Sequence, residues 1–394
     1  MGRWETRPLG ELCDTASGGT PSRGHPEYFG GSIPWVKSGE LRDSVIEEVT
    51  ETITQTGLEN SSAKIFPKGT LLIALYGATV AQLGLLARAA ATNQAVCAIF
   101  PNENILQNIF LFYCLLHNRE KLIARCVGGA QPNISQEIVR SIPVPLPPLL
   151  EQERIVKLLD QADTLRKLRA EADRRAGDLI PALFHEMFGD PARNSHGAPI
   201  VRLSELVEIP PNYGTMIPAR ANGGEWLCLR VANIQDGALD LTDRKFVNLP
   251  DELLKRHTVK DGDLLLARAI GSEEHLGKCV VVHPGEDRWA FDSHLMRVRF
   301  KGERCKPDWV KALFDSPGGR QLFLSNTRKS AVQFNINSKE FGNIAVPLPP
   351  VEEQQSFWEY VTKIRALQAE QARSRLRLDD LFQSMLHRAF SGEL

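Results

Sequence analysis

No run of eighteen apolar residues occurs in the 394-residue chain, so no membrane-crossing helix is expected. The first residues, MGRWETRPLGELCD, have no apolar centre, and no secretory leader is expected there. The seven cysteines (Cys13, Cys97, Cys114, Cys126, Cys228, Cys279 and Cys305) are odd in number and contain no C-x-x-C pair. That argues against zinc ribbons and disulfide frameworks, and for small core residues in a reducing cytoplasm. The histidines include no H-E-x-x-H, and no metal site is expected. A basic excess is missing as well, because the formal net charge is −1. Phosphate neutralisation supplies most of the affinity of a free-standing nucleic-acid binder. Such a chain therefore avoids nucleic acid, segregates its charge, or binds with a more basic partner.

Catalytic fingerprints are equally scarce. Methylation of a flipped adenine calls for [DN]-P-P-[YFW], whose polar head holds the exocyclic amine. The nearest run, Ile209-Pro210-Pro211-Asn212-Tyr213, has isoleucine at that head and reads as a loop. SGGTPSRG (Ser17–Gly24) is glycine-rich but precedes no helical pattern, and no Walker A sequence is present. Asp251, Glu252 and Lys255 share one helical turn and read as a solvated face rather than nuclease carboxylates. The chain is expected to be non-catalytic on its own.

What the sequence does have is a repeat. VPLPP occurs at Val144–Pro148 and again at Val346–Pro350, an offset of 346 − 144 = 202. At that offset Gln131, Asn133, Ile134 and Ile142 fall on Gln333, Asn335, Ile336 and Ile344, and Glu151-Gln152 falls on Glu353-Gln354. Leu179, His185 and Phe188 fall on Leu381, His387 and Phe390 without a gap. Earlier in each half, RPLGEL (Arg7–Leu12) resembles VRLSEL (Val201–Leu206). FPKGTLLIA (Phe66–Ala74) resembles VKDGDLLLA (Val259–Ala267), a glycine turn followed by a buried strand. The stretches between differ freely, as loops on a shared frame do.

Each VPLPP leads into a long charged stretch with heptad spacing. One seam is expected at Ile155, Ala162, Arg169, Ala176 and Leu183 with Leu158, Leu165, Ala172 and Leu179. The other is Phe357, Ile364, Gln371, Leu378 and Met385 with Tyr360, Leu367, Ser374 and Leu381. Proline pairs before each helix, acidic residues in the first turns, and Gly189 and Gly392 after the last ones mark the ends. Pro181 predicts a break near Ile180. Both seams turn small or polar in the middle, and antiparallel helices would bring the two weak centres into one layer.

Several marks recur in a fixed order: Ile33-Pro34-Trp35-Val36, GTLLIALYGATVAQLG (residues 69–84), Thr92-Asn93-Gln94, and Ile142–Pro148 followed by Glu151-Gln152. Leu229-Arg230-Val231-Ala232-Asn233-Ile234 and the closing AFSGEL follow. Over nearly the whole chain these resemble the specificity (S) subunits of type I DNA restriction–modification systems. The resemblance implies a mixed α+β fold: two repeated α/β target-recognition domains separated by two long helices that form an antiparallel coiled coil, pseudo-twofold symmetric. It sets the domains at 1–148 and 191–350, with a central spacer helix at 149–190 and a C-terminal one at 351–394. It implies a bipartite site on double-stranded DNA, two methyltransferase (M) subunits, and restriction–translocase (R) subunits. S-adenosylmethionine, ATP and magnesium would belong to those partners, and the complex to the cytoplasm. A specificity subunit of a fused type II-like system would look similar. A coiled-coil adaptor without a DNA role would leave the duplicated domains unexplained.

Base reading needs Arg or Lys for guanine and Asn or Gln for adenine. In the first half the candidates are Lys37, Ser38, Tyr76, Thr79, Asn93 and Gln94, with Arg125 nearby. In the second they are Arg230, Asn233, Arg268, Ser293 and His294, with Arg328 and Lys329. Arg230 and Arg268 stand out, because each sits beside a strand end in apolar company. Ser293-His294 is taken as the counterpart of Thr92-Asn93-Gln94.

Overall fold

The structure is a computed structural model; it describes residues 4–126, 132–235, 237–273, 275–329 and 334–394, and only the backbone at Arg328, Lys329 and Phe334. Gln131 and Gln333 of the repeat lie outside the described residues. The chain divides into two compact units. Unit 1 is Met1–Ala170 with Arg373–Leu394, and unit 2 is Glu171–Ala372. The division falls inside both long helices, beside the polar seam positions Arg169 and Gln371.

In unit 1 a five-stranded sheet runs in the order Cys13–Ser17, Val96–Pro101, Leu71–Ala74, Leu83–Leu86, Ser44–Ile46. Its central strand Leu71–Ala74 is buried throughout, which explains a continuous apolar run instead of an alternating one. Gly69, at φ +83°, makes the turn expected before it. A second sheet joins Thr52–Ile53, Phe29–Val36, Ala90–Thr92 and Ile65–Phe66. Its middle pair is parallel, with Trp35 opposite Ala91 and Val36 opposite Thr92.

Unit 2 repeats this connectivity with other side chains and one strand fewer in each sheet. Val207–Tyr213, Leu295–Phe300, Asp263–Ala267 and Cys279–Val282 form a four-stranded sheet in that order. Trp226–Leu229 and Trp289–Phe291 are again a parallel pair, with Leu229 opposite Phe291. Inside this unit Asp263 is completely buried and accepts two bonds of 2.7 Å from the Arg299 guanidinium. That pairing makes the burial of the carboxylate tolerable.

VPLPP does more than stop what precedes it. Its first residues are a strand: Pro143–Pro145 pairs antiparallel with Thr6–Pro8, and Ala345–Pro347 with Ile200–Arg202. Val144 and Val346 are both fully buried. Each unit is thus closed by pairing its opening strand with its last. The helices begin straight after, at Leu149 and Val351. The glutamine of each Glu-Gln pair is buried and locks this junction. Gln152 accepts from the Gln107 N–H at 2.8 Å and donates to the carbonyls of Ile105 and Pro147. Gln354 accepts from the Lys306 N–H at 2.8 Å and donates to Arg304 and Pro349. One amide thereby satisfies three backbone groups that would otherwise be buried without partners.

The first long helix is Leu149–Gly177, followed by a separate helix Leu179–Phe188, so the chain breaks just before Pro181. The second is Val351–Ser391, 41 residues or roughly 60 Å. Gly189 and Gly392 follow their helices at φ +70° and +78°. In unit 2, Phe184 packs edge-on against Phe357 at 5.7 Å and Ala176 accepts from the Gln368 amide at 2.7 Å. The helices therefore run in opposite directions there. In unit 1, Arg166 Nε donates to Asp379 at 2.7 Å, and its guanidinium lies 4.4 Å from the Phe382 ring centre.

The expected seam needs correction in one of its rows. Ile155, Ala162 and Phe357 are buried, but Leu165, Leu179, Tyr360, Leu367 and Leu381 are all about half exposed or more, and Leu158, Leu183, Ile364 and Leu378 are only half-buried. The buried row is instead Leu159, Phe184, Val361, Phe382 and Leu386. The reason is that the helices pack on a globular core as well as on each other. Ile155, Leu159, Ala162, Phe382, Leu386 and Ala389 share one cluster with Leu111 and Tyr113. A helix facing a core and a helix together buries a wider stripe, rotated away from the heptad leucines.

Candidate nucleic-acid interface

Parallel strands place their following loops at one edge, and in unit 1 this is where most of the candidates meet. Lys37 and Ser38 leave Phe29–Val36 just as Asn93 and Gln94 leave Ala90–Thr92. The Asn93 N–H donates to the Val36 carbonyl at 3.0 Å and ties the two exits together. Tyr76 follows Leu71–Ala74 and bonds the exposed Gln94 side chain. Burial pushes the Tyr76 hydroxyl pKa up. Thr79 belongs to the adjacent turn, where Gln82 N–H donates to its carbonyl. Lys37 Nζ is 2.9 Å from Glu51, and Lys37, with Arg23, holds that carboxyl below its usual range. Arg125 is exposed and bonds Ser141 Oγ at 2.9 Å; no bond links it to the other candidates.

Sequence reasoning set aside the segment that organises this edge. SGGTPSRG braces the loops that carry the candidates. Gly18 and Gly19 N–H donate to Val96 and Thr92, and the Trp35 indole donates to Gly19 at 3.0 Å. A Cβ on Gly18 would collide with the Thr92 carbonyl and one on Gly19 with the Ser62 backbone. Thr20 Oγ1 donates to Gln94, so Gln94 is held between Thr20 and Tyr76. Two adjacent glycines needing close backbone approach were the available signal.

Unit 2 builds the same edge with charged groups. The Asp292 N–H donates to Leu229 at 3.0 Å, the counterpart of the Asn93–Val36 bond. The position matching Asn93 is therefore Asp292, and the expected pairing with Ser293-His294 was displaced by one residue. Asp292 accepts from the His294 N–H at 3.0 Å, and burial pushes its carboxyl pKa up. His294 remains exposed.

The two arginines singled out from the sequence have internal partners. Arg230 donates to Asp243 Oδ2 at 2.8 Å and to the Asp243 carbonyl at 3.0 Å. Arg268 donates to the Ser293 carbonyl at 2.9 Å and lies 4.0 Å over the Tyr213 ring. Asn233 is 3% exposed, caps the Arg230 N–H, and donates to the Asp240 and Asp243 carbonyls. It braces its loop, as Glu40 does in unit 1 by accepting from the Lys37 N–H. Arg328–Lys329 is a strand paired with Phe334–Asn335, and the two side chains lie outside the described part. Beside Arg268 opens a groove of about 780 Å³ bordered by Tyr213, Met216, Arg256 and Ser293.

Among the described residues no cluster of three or more His, Cys, Asp or Glu could hold a metal, and no helix is long and apolar enough to cross a membrane. The cysteines are unpaired, and all but Cys126 are buried.

The family model for the type I restriction modification DNA specificity domain matches residues 1–173. The chain is similar to the EcoKI specificity subunit of Escherichia coli K12, at 23% identity over 92% of this chain and 82% of that protein. It is similar to the StySPI specificity subunit of Salmonella potsdam, at 22% over 99% and 89%. A local match to the EcoR124I/EcoR124II specificity subunit of Escherichia coli reaches 31% over 42% of each chain. Among solved structures, a chain from work on complex assembly and conformational transition of the type I restriction–modification system superposes with a TM-score of 0.66. It covers 99% of this chain and 98% of that one at 21% identity. The type I S subunit from M. genitalium gives 0.55 over 99% and 96% at 16% identity. Residues 1–173 thus match the type I restriction modification DNA specificity domain, and over nearly its whole length the chain is similar in sequence and fold to the specificity subunits of type I restriction–modification systems.

Proposed function

We propose that each unit reads one half of a bipartite site on double-stranded DNA, while the long helices set the spacing and dock methyltransferase subunits. Recognition would occupy 1–148 and 191–350, and spacers 149–190 and 351–394, the helices forming one antiparallel coiled coil. The observation that carries this reading is the repeated edge. In both units a parallel strand pair delivers two loops, tied by one backbone bond (Asn93 to Val36, Asp292 to Leu229), with polar side chains beside it. A shared frame carrying different polar groups suits two readers with two targets. The near-zero net charge fits a chain that gains its phosphate contacts from partners. Restriction–translocase subunits would join through the methyltransferase subunits. S-adenosylmethionine, ATP and magnesium would reside on those partners. Within unit 1, Leu165 and Leu381, both exposed, are the natural docking residues.

The test is a paired insertion of four residues, after Arg169 and after Gln371. Each adds close to one helical turn and ~6 Å of rise, so the buried faces keep their direction. At ~34 Å per turn of duplex, the methylated site should keep both half-sequences and gain one or two base pairs of spacer. A fixed spacer with altered half-sequences would refute the helices as the ruler.

A further inference from the structure

The two units differ at one sheet edge. In unit 1, the segment after the 3-10 turn Ser38–Glu40 becomes the strand Ser44–Ile46, which pairs in parallel with Leu83–Leu86 and ends the sheet. In unit 2, the segment after the corresponding turn Val231–Asn233 folds back on itself instead. Ile234–Gln235 pairs with Ala238–Leu239, and Cys279–Val282 is left as the last strand of its sheet.

The register says which groups face outward. Ala267 N–H bonds the Lys278 carbonyl at 2.9 Å, and Leu265 and Asp263 stand opposite Val280 and Val282. In an antiparallel ladder bonded positions alternate. Val280 and Val282 therefore bond inward, and the N–H and C=O of Val281 face away from the sheet. Among the described residues neither has a partner. A cavity of about 840 Å³ opens against this edge, bordered by the apolar Leu239, Val280, Val281, Trp289 and Trp358 and also by His283, Asp308, Lys311, Asp315 and Arg365. The edge is recessed, since Val280 is 5% and Val281 9% exposed. A second globular copy could not bring its own sheet edge into it, whereas one slim extended segment could.

We propose that the Cys279–Val282 edge accepts an extended, uncharged, β-branched segment of a protein partner as an added strand. Unit 1 supplies the template: Ser44-Val45-Ile46 fills the matching edge there. Main-chain bonds to Val281 would give affinity, and Leu239, Trp289 and Trp358 would favour apolar side chains beside the strand. The proposal rests on the functional reading above only for the identity of the complex in which the partner is found.

Hydrogen exchange at Val281 tests it, on the full chain alone and assembled with its methyltransferase subunits. The Val281 amide should exchange readily in the free chain and slow by at least about tenfold on assembly. Val281→Pro removes the outward N–H together with part of the buried side chain, and proline is tolerated at an edge position. It should weaken assembly by ~10-fold or more, while Val281→Ala, which also loses side-chain packing but keeps the N–H, assembles like the parent. Assembly with Val281 unprotected would overturn this proposal alone, as would protection already present in the free chain, whether from a second copy or from the chain's own hairpin. Failure of the parent chain to assemble at all would overturn the functional reading, and the proposal with it.

Discussion

At the candidate edge of unit 1 the amides and hydroxyls of Gln94, Asn93, Thr20 and Tyr76 stand beside the Lys37–Glu51 pair, whereas unit 2 places Asp292 and His294 there with the Arg230–Asp243 pair. Gln94 is held by Thr20 and Tyr76, with Asn93 beside it. At the matching place Asp292 pairs with His294, and Arg230 with Asp243. The backbone beneath is the same, down to the bond from the second exit to the first. Chemistry can therefore change at the edge without disturbing the frame, because the frame is fixed elsewhere. It is held by the closing strand around Val144 or Val346 and by the glutamine that locks each helix start.

Three substitutions probe that comparison. The largest effect is expected in the helices. Phe382→Ala removes a ring that is 1% exposed and should destabilise by ~3–5 kcal/mol, whereas its neighbour Leu381→Ala should change thermal stability little. Equal effects in thermal melts would restore the heptad row in place of the one buried here. Next come the two locking glutamines. Gln152→Leu and Gln354→Leu each strand one N–H and two carbonyls, and each should destabilise by ~2–3 kcal/mol. If denaturant unfolding shows a loss in one unit only, the junctions are not equivalent. The smallest effect belongs to the edge. Gln94→Ala should leave the melting curve unchanged and weaken binding of the assembled complex by about tenfold, or ~1–2 kcal/mol, at one position of one half-site. Competition with single-base variants of the site would show this, and a uniform loss across all variants would make Gln94 a backbone contact.

The repeat, the helix starts, the break before Pro181 and the glycine stops were all legible in the sequence, because proline and glycine act locally. The seam was legible only in part. Leucines at seven-residue spacing mark a helix, but which face is buried depends on what the helix meets, here Tyr113 and its neighbours from a distant segment. The strand role of Val144 was hidden for the same reason, since its partner Arg7 lies at the other end of the unit. At the edge, Lys37, Asn93 and Gln94 could be grouped because each follows a buried strand. Thr20 could not, since only the folded chain brings it to Gln94. Arginine in apolar company signalled a reason for being there, and that reason is an internal partner at both Arg230 and Arg268.

The central claim is that the units read independently. It is tested most directly by replacing residues 1–148 with the corresponding segment of a relative of different specificity, then sequencing the methylated bases of cells that carry the chimera and its partner subunits. The account predicts that one half-sequence is exchanged while the other half-sequence and the spacer length are unchanged. Simultaneous change of both half-sequences would contradict it.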